Sequence, residues 1–193
     1  MGNLLGDKKV YELQEKVDKE LAEKAYGKGC CEHCDGGKLH CANYERKPRG
    51  GPEEVMNRWN RRHSFCCNLE GCRKRKTPPS VRFLGSKVYV GVVVVLVAAV
   101  MYGPNARRVD QLHEALGIDK RTLNRWRQWW LEVFVEKSFW KVNRARFMPV
   151  LDEAVMPYGL VEKFKATQRE GLMDLMKFLA PITTTSGKGV VAM

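Results

Sequence analysis

Seven cysteines crowd between Cys30 and Cys72, and the rest of the chain has none. Four of them form two vicinal pairs, Cys30-Cys31 and Cys66-Cys67. Disulfide scaffolds spread their cysteines through the chain they staple and belong to secreted proteins. This crowding points instead to reduced thiols gathered on a metal ion. The spacing offers Cys31 and Cys34 (C-x2-C) with Cys67 and Cys72 (C-x4-C) as a ligand set. Thiolates two to four residues apart reach one tetrahedral Zn²⁺ from a tight turn, and Gly36, Gly37 and Gly71 stand beside the two pairs. Other pairings stay open: Cys30 with Cys34, Cys66 with Cys72, or Cys41, His33, His40 or His63 as a substitute ligand. The expectation is a structural Zn²⁺, with strands and a long loop between the pairs. Such a core-poor unit takes much of its folding energy from the metal.

Charge is concentrated in the same region. Lys and Arg number 34 against 22 Asp and Glu, a net +12, and Lys38–Lys87 alone holds 13 basic and 4 acidic residues. An excess of this size points to a polyanionic partner. Arg73, Lys74, Arg75 and Lys76 follow the last ligand directly. Arg46, Lys47 and Arg49 sit around a Pro-Arg-Gly-Gly-Pro loop, and Arg58, Arg61 and Arg62 flank Trp59. Cations interleaved with aromatic rings suit phosphate contact and base stacking.

The remaining chain reads as mainly α. Residues 1–27 hold an amphipathic helix with Val10, Leu13, Val17 and Leu21 at helical spacing, a packing face or a homodimer contact. Residues 28–87 are the basic zinc-ribbon β unit, 88–180 a helical domain, and 181–193 a flexible tail. Val88–Tyr102 is 15 apolar residues broken by Gly91, short of the roughly 20 that cross a bilayer. Its β-branched valines suit a strand, but its length favours a buried helix. Two further helices are expected after Phe139, with apolar positions at Val161, Phe164, Leu172, Leu175, Met176 and Leu179. The start MGNLLGDKK has no apolar run of a signal peptide, and Gly6 stands where a myristoylation motif needs Ser or Thr. These features fit a cytoplasmic, nucleoid-associated protein with no membrane partner.

Residues 105–134 are the most informative. Val109, Leu112 and Leu116 form one face of a first helix, Gly117 supplies a turn, and Ile118 points back to the core. Asp119 is placed to cap a second helix. Along that helix Leu123, Trp126, Trp130 and Phe134 make one apolar stripe, opposite Arg121, Asn124, Arg125 and Gln128. Those polar types reach guanine, adenine and phosphate in a major groove. The run L-G-I-D-K-R-T-L-N-R-W resembles the turn and recognition helix of helix–turn–helix domains in bacterial transposases and related mobile-element proteins, whose pattern is L-G-[VI]-S-x-x-T-[VL]-x-x-W. Leu116, Gly117, Ile118, Thr122, Leu123 and Trp126 match, Asp119 replaces the Ser, and His113 stands where that family has a small Ala. The order of ribbon then helix–turn–helix is similar to transposase N-terminal regions over residues 30–134. The resemblance implies that Arg121, Thr122, Asn124 and Arg125 contact double-stranded DNA; a recombinase or transposase is a further candidate partner.

Catalysis is not expected. Transposase cores mount three carboxylates for two Mg²⁺ on an RNase H-like sheet. Asp152, Glu153, Glu162, Glu170 and Asp174 instead lie on short helical patterns. The zinc-deaminase signature is missing, Ser64 has only its neighbour His63 as a base, and Ser186-Gly187-Lys188-Gly189 is no P-loop. The reading is a DNA-binding protein of a bacterial mobile element. An RNA-binding zinc ribbon, with Trp59 and the Arg-rich strand essential, or an adaptor for a recombinase is the alternative.

Overall fold

A computed structural model describes residues 7–51, 53–84, 89, 91–100, 110, 113, 114 and 118–184. The protein is mainly helical with a small antiparallel sheet. The first helix, α1 (Lys8–Tyr26), starts where the Asp7 carboxylate accepts the Lys9 amide at 2.9 Å and ends at Gly27, whose φ is 56°. Its buried residues are Val10, Tyr11, Gln14, Asp18 and Ala22. The expected stripe is therefore corrected: Leu13 is exposed, while Val17 and Leu21 only border the core. The helix has turned to bring Asp18 and Gln14 inside, which hydrophobicity alone does not reveal. Its buried face packs within the chain, against the helix Arg169–Leu179.

The cysteine-rich stretch forms short strands: β1 (Leu39–Cys41), β2 (Tyr44–Glu45), β3 (Arg61–Arg62), β4 (Phe65–Cys67) and β5 (Arg75–Lys76). One antiparallel sheet has the order β1-β4-β5, with Leu39 opposite Cys67, His40 opposite Cys66, and Cys66 opposite Arg75. β2 and β3 pair as a separate ribbon. The expected long loop between the cysteine pairs contains an unforeseen helix, α2 (Glu53–Arg58). Val55 and Trp59 use it to reach the main core, where Trp59 packs on Tyr11 at 5.6 Å. Trp59 is thus a core residue and presents no ring to a nucleic acid.

The apolar run forms helix α3 (Gly91–Val100), with Val94–Ala98 at most 3% exposed. A helix apolar on every side belongs in an interior, and α3 is packed by three others. These are α4 (Lys120–Gln128), α6 (Tyr158–Lys163) and α7 (Arg169–Leu179), with α5 (Ser138–Asn143) completing the body. Of these, α6 and α7 are the two helices expected after Phe139, while α5 already begins at Ser138. The segment 160–179 is broken between α6 and α7. The Lys165 amide donates to Glu162 and the Ala166 amide to Val161, with Lys165 at φ 51°. Those paired bonds are a Schellman ending, for which glycine is the usual sign and lysine is not. The expected loose tail also begins too early: Ala180–Thr183 is a 3-10 turn whose Thr183 hydroxyl accepts the Ser80 amide at 2.8 Å. Residues 185–193 lie outside the described residues, as does most of the first helix of the expected helix–turn–helix, including Val109, Leu112, Leu116 and Gly117. No described helix is long and apolar enough to cross a membrane.

A buried polar joint links these parts. Asp18 of α1 accepts the Arg82 Nε at 2.7 Å, the Ser80 hydroxyl at 2.7 Å and the Val81 amide at 2.6 Å. Arg82 also donates to the carbonyl of Arg61 at 3.0 Å. Through Arg82 and Ser80 this carboxylate links α1 to the β2–β3 ribbon and to the C-terminal turn.

Candidate metal centre and basic helix face

The β4 strand alternates its side chains, so Cys67 faces inward while Cys66 lies on the other face. Tight turns at 31–34 and 69–72 bring the other thiols to Cys67. The sulfurs of Cys31, Cys34, Cys67 and Cys72 all lie within 4.8 Å of one another. Cys31 to Cys72 is 3.8 Å and Cys34 to Cys67 is 3.6 Å. Metal–sulfur bonds of about 2.3 Å in a tetrahedron give edges of about 3.8 Å, so these two opposite edges already have the coordination spacing. They are far too long for disulfides.

The two halves repeat one local geometry. The His33 amide points at the Cys31 sulfur and the Leu69 amide at the Cys67 sulfur, each at 3.4 Å. Amides aimed at sulfur stabilise the ionised ligand. The His33 amide holds the Cys31 thiol below its ordinary pKa. Burial pushes Cys34 up to about 12, helped by the neighbouring sulfurs, and burial also raises Cys67. Four thiolates this close repel, and a divalent cation is what offsets that repulsion. Gly37 closes over the quartet: a Cβ there would stand 2.5 Å from the Cys67 sulfur and 2.6 Å from that of Cys34. Four thiol donors, their spacing and this cradle fit a metal ion. Cys30, Cys41, Cys66, His33, His40 and His63 are not part of the quartet.

The four cations after Cys72 are not equivalent. Arg73 and Lys74 are exposed and have no carboxylate partner among the described residues. Arg75 is pinned by the Ala42 carbonyl at 3.1 Å and the Ser64 hydroxyl at 3.2 Å, with its guanidinium 5.7 Å from the Tyr44 ring centre. Lys76 is ion-paired with Glu32. Arg62 is buried and donates to the Pro78 carbonyl, so it presents no charge outside.

Helix α4 is built as its sequence pattern requires. The Asp119 carboxylate accepts the Arg121 amide at 2.8 Å, capping the helix. Leu123, Trp130 and Phe134 are fully buried and Trp126 is 3% exposed. The helix continues through a π-helical stretch, Trp129–Phe134, which the sequence did not signal. Tyr89 meets Trp126 edge-on at 5.0 Å. Arg121, Asn124, Arg125 and Gln128 are exposed together on the far side, with Thr122 half-buried beside them. Arg125 donates to the Thr122 hydroxyl at 3.0 Å, and Gln128 to Glu132 at 2.9 Å. His113 shares a 2.9 Å hydrogen bond with the Ile118 carbonyl, and Ile118 is buried as expected. The residue that sequence reasoning missed is Asp18; its partner lies 64 positions away, and a lone Asp in a Lys/Glu-rich helix gives no signal.

Comparison with models of protein families, with curated proteins and with solved structures finds no match.

Proposed function

We propose that this chain is a DNA-binding protein of a mobile element, transposase-associated or transposase-derived, and that its role is binding rather than catalysis. In this reading Zn²⁺ on Cys31, Cys34, Cys67 and Cys72 braces a basic ribbon, and Arg73 and Lys74 with Arg75 and Lys76 lie along phosphates. The α4 face reads bases as the second helix of a helix–turn–helix. The observation that carries the reading is the division of α4: Arg121, Asn124, Arg125 and Gln128 are exposed on one side while the other is locked in the core. A rigid, capped helix presenting these side chains has little left to order on binding. Two modules on one chain would raise affinity through effective concentration.

The test is selection from a random duplex DNA pool by the zinc-loaded protein at two salt concentrations. An enriched motif that Arg121→Ala/Arg125→Ala loses is the expected result. Each base contact removed should weaken the motif by about 1–3 kcal/mol. Salt-sensitive binding without a motif, unchanged in the double variant, would contradict it. A second reading, an adaptor for a recombinase, draws on the exposed Val142, Met148 and Val150. That role predicts partner binding unaffected by the double substitution.

A further inference from the structure

We propose that the groove between α1 and the sheet seats an unpaired nucleobase at an end or break of the bound DNA, an inference that rests on the nucleic-acid reading above. The groove has a volume of about 530 Å³, in the range of small-ligand sites. One wall is aromatic: the rings of Tyr26 and Phe65 lie 5.1 Å apart and tilted by 53°, above Ala22. Tyr26 is held against Phe65, with its hydroxyl in a long contact to the Leu39 carbonyl at 3.4 Å, yet keeps 40% of its surface exposed. A held, open aromatic face is what base stacking uses.

The polar groups of the groove supply the edge contacts. His63, in the short connection between β3 and β4, lines the groove beside Phe65. Burial first, and the nearby Arg82 charge second, hold its pKa below the usual value, so near neutral pH the ring offers one donor and one acceptor. Glu23 is a pure acceptor suited to an exocyclic amino group, as of cytosine. Lys19, one helical turn before Glu23, brings a cation to the same rim for the attached phosphate, with Glu15 at 3.4 Å beside it. A paired base inside a duplex stack cannot enter such a groove, whereas an overhanging one can.

The experiment uses the full, zinc-loaded chain and two labelled hairpin DNAs, one blunt and one ending in a short cytidine overhang, followed by fluorescence anisotropy. The overhang is expected to bind about tenfold more tightly, the size of one stacked base. Tyr26→Ala should erase that preference and leave the blunt hairpin's affinity unchanged. His63→Ala should reduce it about fivefold, one hydrogen bond's worth, and decides the matter if Tyr26→Ala loses helix content. In a second arm, free dCMP should give saturable shifts of the His63 and Tyr26 ring resonances. Equal affinity for the two hairpins, or no dCMP shift at these rings, overturns the groove while leaving duplex binding intact. Saturable dCMP shifts with no binding of either hairpin would instead remove the duplex reading and the strand-end role with it.

Discussion

The two ends of this molecule are held together by different physics. Around the thiol quartet the apolar cluster among the described residues is Ala22, Leu39 and Phe65, with Cys31 against it. Among the helices the core contains Trp130, Phe134, Trp140, Leu160, Leu172 and Leu175, all fully buried, with rings stepping from Trp130 to Phe134 at 4.7 Å and on to Trp140 at 5.4 Å. Burying side chains of this size gives each about 1.5–3 kcal/mol, and many act together. The cysteine end has no comparable resource, and a metal ion on the four thiols would supply it. A region can be ordered without a core if its ligands converge, and the same region then depends on the ion.

The largest effect expected is at the quartet. Cys67→Ser removes the buried ligand from the central strand. The bound metal, measured by elemental analysis of the purified chain, should fall from one equivalent to none. At stake is a contribution on the order of 10–16 kcal/mol, the scale of structural Zn²⁺ sites. Full retention of metal would show that the ion, if any, sits elsewhere.

Next in size is the joint between the two ends. Asp18 and Arg82 side chains are 1% and 5% exposed, so Asp18→Ala leaves a buried guanidinium without its counter-charge. A loss of about 3–5 kcal/mol in urea unfolding is expected, spread over both ends because the joint touches α1, the ribbon and the C-terminal turn. Adding Arg82→Met should restore part of it. Loss confined to one end would sharpen the comparison by showing that the joint belongs to that end.

The smallest effect concerns the helical body alone. Lys165 holds φ at 51°, a conformation that costs a side chain about 1–2 kcal/mol and glycine little. Lys165→Gly should raise the unfolding free energy by about 1 kcal/mol without changing metal content. Destabilisation would mean that lysine's contacts outweigh the backbone relief.

What could be read from the sequence follows the same division. The thiol quartet was legible because metal chemistry favours such local spacing, and Cys31, Cys34, Cys67 and Cys72 do converge. The stripe Leu123, Trp126, Trp130 and Phe134 and its Asp119 cap were legible because helical period and capping are local rules. The buried face of α1 was not. It includes Gln14 and Asp18, and an acid goes inside only when a distant partner meets it. The break after α6 was equally hidden, because lysine occupies the position where glycine would have announced it. The sequence also favoured open strands and loop between the cysteine pairs, yet Val55 and Trp59 carry that segment into the far core.

Hydrogen exchange of the full chain, followed by mass spectrometry with and without a zinc chelator, tests the comparison directly. The account predicts that chelation unprotects residues 30–45 and 65–76, while 53–59, 91–100 and 118–179 stay protected. Protection unchanged throughout, or lost in both regions together, would contradict a metal-held end joined to a core-held one.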